Sequence, residues 1–224
     1  MTAAGVTRTA AALVILAGAT TATAAVARLP DPLGQYVSEA GIPGAATADL
    51  YLVGLLLVAA GVGLLAAALA RLPWLVWGPL LVAVPMTVTS GLVPCTAGCP
   101  LPPYEQTTAV DLVHAGASIL AVVATLATML ALVFLGDQPA LRRAAAIGLL
   151  VALPQAVALL AGMLVIGRDP LTAALERTLL VSLAGWMLWT AGRSAPRNPA
   201  PPAPVRTLAA AGAAGNEYFP KGRS

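Results

Sequence analysis

Apolar runs of about twenty residues alternate with short polar or Pro-rich connections along most of this chain. They extend from Thr9 to Ala27, Asp49 to Ala70, Trp74 to Val93, Asp111 to Leu135, Ala144 to Gly167 and Pro170 to Gly192. A helix needs about 20 apolar residues to cross roughly 30 Å of hydrocarbon. The pattern therefore predicts an all-α polytopic membrane protein, a bundle of six transmembrane helices within residues 1–192. From Arg193 onward the sequence turns to S-A-P-R-N-P-A-P-P-A-P. That composition predicts a Pro/Ala-rich, disordered tail over 193–224. The first run has a second reading, because Arg8 followed by A-A-A-L-V-I-L-A-G-A resembles a cleavable signal peptide. About 19 residues precede Arg28, a length that favours a retained helix.

Composition sharpens the class. Of 224 residues, 59% are hydrophobic and 9% charged, with mean hydropathy +0.87. Soluble domains carry about 25% charged residues, so neither a water-soluble globule nor a disordered chain fits. His114 is the single histidine, which excludes bis-histidine haem, the H-E-x-x-H zinc helix and three-histidine zinc. Two cysteines cannot hold an iron–sulfur cluster alone, and neither phosphate-cradling glycine motif occurs. No cofactor is expected.

Charge gives an orientation. With the N-terminus inside, the cytoplasmic side carries Arg8, Arg71, Arg142, Arg143, Arg193, Arg197, Arg206, Lys221 and Arg223, leaving Arg28, Arg168 and Arg177 outside. The acids sort the other way, with Asp31, Glu39, Asp49, Glu105, Asp111, Asp169 and Glu176 outside. By the positive-inside rule both termini are cytoplasmic. Trp74, Trp77, Trp186 and Trp189 then form a belt at the inner interface. The net charge of +3 and pI near 9.2 come from these inner arginines and do not indicate nucleic acid as a partner.

Candidate chemistry gathers at the outer rim. Thr47 or Asp49 is placed to cap helix 2, and Thr108 with Asp111 has the spacing of a capping box for helix 4. Thr107, Asp111, His114 and Ser118 recur on one face of helix 4. Asp111 at i, i+3 from His114 would orient one ring nitrogen, which suits an acid or base. From Thr178 to Ala191 only 14 uncharged residues are available, about 21 Å of helix. Helix 6 must therefore start earlier, and Asp169-Pro170 supplies the cap and first turn. Glu176 and Arg177 then fall at or below the edge of the hydrocarbon, where a charge needs a partner. Asp111 is the first choice for Arg177, ahead of Glu39 and Asp49. A purely structural Arg–Asp lock stands beside the catalytic reading.

Cys95 and Cys99 lie in the outer loop, where an oxidising compartment favours a disulfide and T-A-G can turn sharply at Gly98. The rival is a metal site of Cys95, Cys99, His114 and Asp111. Pro79 and Pro85 in helix 3 and Pro154 in helix 5 should kink their helices, with Thr87, Thr89 and Ser90 satisfying freed carbonyls. Gln155 should hydrogen-bond a neighbouring helix.

Y-V-S-E-A-G after helix 1, the Pro-rich loop before helix 4, D-L-V-H-A-G-A-S opening helix 4 and L-E-R-T in helix 6 resemble the DUF998 family of bacterial integral membrane proteins. The resemblance covers residues from about 8 to 192. It implies fold and location but no reaction, and draws attention to Ser38, Glu39, His114, Glu176 and Arg177.

Two functions follow as expectations. One is an enzyme on a lipid or isoprenoid substrate at the outer leaflet, with acid–base chemistry from Asp111, His114, Glu176, Arg177 and Glu39 in an outward-facing polar pocket. The other is a non-catalytic accessory subunit or small transporter. The polar groups lie at one end only, without a mid-span charge to relay ions, which disfavours transport.

Overall fold

The computed structural model describes residues 3–193. Among them are six long α-helices, no strands and one short 3-10 helix: α1 Ala3–Val26, the 3-10 turn Val37–Gly41, α2 Ala48–Leu69, α3 Trp74–Leu92, α4 Ala109–Leu135, α5 Pro139–Val165 and α6 Pro170–Arg193. All six α-helices are long and apolar enough to cross a membrane. The expected tail lies outside the described residues except for Arg193, which ends α6.

Each helix packs on the next, and α6 returns to α1, so the bundle is a closed ring. One core runs through it, from Ala11 and Ile15 of α1 through Leu65 and Leu69 of α2, Leu80 of α3, Met129 and Leu132 of α4 and Ala145 of α5 to Leu183 of α6. The opposite faces carry Leu13, Leu81, Leu150 and Val181, each largely exposed, as a lipid-facing surface should.

Helix ends explain the departures from the expected spans. α5 starts at Pro139 rather than Ala144, with Pro at the first helical position after Gln138. Arg142 and Arg143 interrupt an apolar run, yet charges end a membrane span without ending a helix. Arg142 Nε donates to Val133 O at 3.0 Å, binding a carbonyl near the end of α4. α6 starts at Pro170 as the length argument requires, with Leu171 N donating to Asp169 Oδ1 at 2.8 Å. Thr47 does sit before α2 but makes no side-chain cap; its hydroxyl donates to Ala40 O at 2.8 Å.

Three interior expectations resolve in detail. α3 and α5 run through their prolines as continuous helices. Thr87 bonds Ala83 O, its own i−4 carbonyl, rather than Leu81 O, which Pro85 frees. Gln155 is bonded across helices, accepting from Ser182 Oγ of α6 at 3.1 Å. The expected tryptophan belt loses one member. Trp74 is 67% exposed, but Trp186 is buried in the core because it sits on the inward stripe with Leu179 and Leu183.

The closest helix contact is between α1 and α2, and glycine permits it. A Cβ on Gly18 would stand 2.6 Å from Val58 N, one on Gly54 2.8 Å from Ala22 N, and one on Gly61 2.9 Å from Ile15 N. These are backbone atoms, so a methyl at any of the three forces the helices apart. At Gly63 the nearest atom would be Val84 Cγ2 at 3.7 Å, an ordinary contact. Gly54→Ala should therefore destabilise by about 1–3 kcal/mol, whereas Gly63→Ala should be neutral or stabilising. Thermal unfolding in detergent measures both; equal effects would contradict the close α1–α2 approach.

Candidate functional site

The end of the bundle where α2, α4 and α6 begin holds every expected site residue, but in two separate clusters rather than one.

The first cluster closes the ring between α1 and α6. Residues 31–39 fold over the start of α6, and four side chains hold them there. Glu39, 3% exposed, accepts from Arg168 Nη2 at 2.6 Å, from Tyr36 N at 3.0 Å and from Gln35 Nε2 at 3.0 Å. Glu176 accepts from Val37 N at 2.7 Å and from Ser38 N. Its carboxylate thus binds the free N–H groups that open the 3-10 turn. Arg177 donates Nη1–H to Leu33 O at 2.7 Å and Nη2–H to Gln35 O. Tyr36 hydroxyl meets Thr172 Oγ1 at 2.7 Å. Thr172 Oγ1 lies 2.8 Å from Asp169 O, a carbonyl to which it can only donate, so the Tyr36 hydroxyl is the donor to Thr172. Burial pushes the Tyr36 phenol above its ordinary value.

The second cluster joins α3, α4 and the cysteine loop. Asp111, 1% exposed, accepts on Oδ1 from Thr96 N at 2.7 Å and on Oδ2 from Thr108 N at 2.9 Å and Thr108 Oγ1 at 2.6 Å. Asp111 N returns a bond to Thr108 Oγ1 at 3.3 Å, completing the expected capping box. His114 Nδ1 lies 2.9 Å from Ser90 O and 3.0 Å from Val93 O. Both partners are carbonyls, so Nδ1 carries the proton and closes the C-terminal end of α3. Ser118 Oγ meets Ser90 Oγ at 2.8 Å, and Thr107 lies before the helix, bonded to Glu105 O.

Cys95 and Cys99 stand at disulfide distance, with Cα atoms 5.0 Å apart. The turn between them needs Gly98 at φ +85, a left-handed conformation that glycine adopts freely. The rival metal reading is not carried by the geometry. Among the described residues no three His, Cys, Asp or Glu side chains group as metal ligands, and Asp111 and His114 face different backbone partners.

The expected Arg177–Asp111 pair does not form. Arg177 turns along α6 toward residues 33–35, while Asp111 sits across the ring on α4 with its oxygens occupied by Thr96 and Thr108. The length argument located the start of α6 but not the neighbour of Arg177: its two Nη groups bond backbone carbonyls, and its buried Nε has no partner among the described residues. His114 accordingly lies outside the Arg177 cluster. Glu39 does find an arginine, but it is Arg168.

Arg168 is the residue sequence reasoning missed. It also crosses the cysteine loop, where a Cβ on Gly98 would run into Arg168 Nη1. Its signal was available: it is the one cation in the short α5–α6 connection, directly before Asp169-Pro170. Tyr36 and Thr172 gave no such signal. Between the clusters, Tyr36, Cys99, Leu101, Tyr104 and Arg168 line a cavity of about 10 Å³, room for roughly one water.

Because Arg177 and Asp111 share no partner, the substitutions Arg177→Ala and Asp111→Asn should add. The double variant should lose the sum of the single losses within about 0.5 kcal/mol. A double variant more stable than Arg177→Ala alone would restore the direct pair.

With the geometry in place, comparison with known proteins adds a family. The family model DUF998, described as a protein of unknown function, matches residues 9–193. Nothing matches among the curated proteins or the solved structures. The match takes in α2 to α6, most of α1 and both polar clusters, and the chain belongs to the DUF998 family.

Proposed function

We propose that this chain is a non-catalytic accessory subunit of the bacterial plasma membrane, with both termini cytoplasmic and the pinned polar end outside as a docking face for a protein partner. One observation carries the reading: the acid and base candidates are all engaged in holding loops. Glu39, Glu176 and Asp111 accept from backbone N–H groups, His114 donates to backbone carbonyls, and Arg177 does the same. A lipid or isoprenoid enzyme needs a carboxylate or imidazole that exchanges a proton with substrate. Here such an exchange would release a loop. A small transporter is disfavoured by the apolar core, which runs from Ala11 to Ala191 through all six helices.

The docking reading is supported by what these bonds leave outside. Leu33 is 78% exposed on a loop fixed from both sides, and residues 102–106 form a second exposed ridge. A pre-ordered surface loses little freedom on binding. The orientation is supported by Arg8, Arg71, Arg142, Arg143 and Arg193 at the opposite end.

Photo-crosslinking groups at Leu33 and at Glu105, introduced in the native bacterium, should each give a discrete protein adduct, and Leu33→Asp should abolish the adduct at Glu105 without lowering the unfolding midpoint. Turnover of a lipid extract that depends on Glu39 or Glu176 at unchanged stability would overturn the reading. For the orientation, a membrane-impermeant thiol reagent on intact cells should label Leu33→Cys and leave Asn216→Cys unlabelled; the reverse pattern would invert the topology.

A further inference from the structure

The buried face of α1 reads Arg8, Ala11, Ile15, Gly18 and Ala25, an inward stripe at helical spacing. Arg8 heads that stripe and is 4% exposed. Its Nε, Nη1 and Nη2 are all buried, and none has a hydrogen-bond partner among the described residues. A guanidinium offers five donors and does not give up its charge, so burial without an anion is strongly unfavourable.

Nothing nearby in the described chain supplies that anion. The charged group acting on Arg8 is Arg71, exposed at the α2–α3 turn and of the same sign. Asp137 is the one acid among the described residues at this end, and it is exposed on the α4–α5 connection, across the ring from α1. The other four arginines of this end, Arg71, Arg142, Arg143 and Arg193, are all exposed. The bundle thus presents a cationic rim with one buried, unmatched guanidinium behind it.

Depth selects the ligand. Arg8 directly precedes the apolar run of α1 that opens at Thr9, so its guanidinium lies at the end of the span. Phospholipid phosphates sit at that boundary between headgroup and hydrocarbon. Val6, Leu13 and Leu16 beside the stripe are 52%, 62% and 49% exposed, an apolar flank on which acyl chains can lie. We propose that Arg8, with Arg71 beside it, is a binding site for the phosphate of an anionic phospholipid in the leaflet at the arginine-rich end of the bundle.

The test uses the full chain in nanodiscs of phosphatidylcholine, with and without phosphatidylglycerol. Phosphatidylglycerol should raise the unfolding midpoint of the unmodified protein by about 2–4 °C or more. Arg8→Met should unfold at a higher midpoint than the unmodified protein in phosphatidylcholine alone, because an unmatched charge is gone, and should gain nothing from phosphatidylglycerol. Arg143→Met, on the exposed rim, should keep most of the gain. The proposal is overturned if the unmodified protein gains nothing from phosphatidylglycerol, a result that requires no variant to fold. It is overturned equally if Arg8→Met gains as much. Inorganic phosphate matching the gain in phosphatidylcholine would replace the lipid with a free ion. A gain from phosphatidylglycerol that appears only in Glu217→Gln would assign the charge to the chain's own distal acid and overturn the proposal.

Discussion

Ring closure is the constraint on which the rest of this structure depends. Five of the six contacts around the ring join neighbours in sequence, whose short connections hold them together in any case. The sixth joins α1 to α6, and its polar bonds reach across 129 to 144 residues. Glu39 on Arg168, Glu176 on Val37, Tyr36 on Thr172 and Arg177 on Leu33 all serve this one seam. α1 is rich in Ala, Gly and Thr and offers α6 little apolar bulk. Polar bonds at the membrane boundary, where water competes less than in bulk, supply the directionality that packing there lacks.

The chemistry of that seam differs from that of an ion-pair network. Its carboxylates are matched mainly by main-chain N–H groups, and its one salt bridge involves an arginine that is 36% exposed. A loop near hydrocarbon has to satisfy its amides somehow. Side chains with two acceptor oxygens do so with the fewest residues. This explains why acids gather at one end without forming a single centre: each serves its own loop.

The helices were legible because span length and apolar content are local properties. Pro170 as the start of α6 followed from the shortness of the uncharged stretch Thr178–Ala191 and the Asp169-Pro170 cap, and the Thr108–Asp111 cap followed from spacing alone. Boundaries failed where charge was taken as the end of a helix, as at Arg142 and Arg143 of α5. Trp186 was misplaced for a related reason: proximity to a helix end says nothing of the face it occupies. The candidate site was legible as a set of residues and illegible as a set of pairs. Partners of Arg177 are main-chain oxygens of residues 33 and 35, which no side-chain pattern encodes. The glycine seam at Gly18, Gly54 and Gly61 was hidden too, because its spacing is not the four-residue repeat by which such seams are recognised.

The long reach of the closing seam has a consequence for how the chain is made. Residues 31–39 leave the ribosome well over a hundred residues before Thr172, Glu176 and Arg177 exist to receive them. At bacterial or eukaryotic elongation rates that gap is on the order of ten seconds. Throughout it the first loop carries the Glu39 carboxylate and a set of unpaired main-chain groups, and α1 has no neighbour on its far side. The last helix to be inserted is therefore the one that completes the first loop. A nascent chain that stops short of α6 differs from the finished protein at the opposite end of its sequence, a difference that membrane quality control could read.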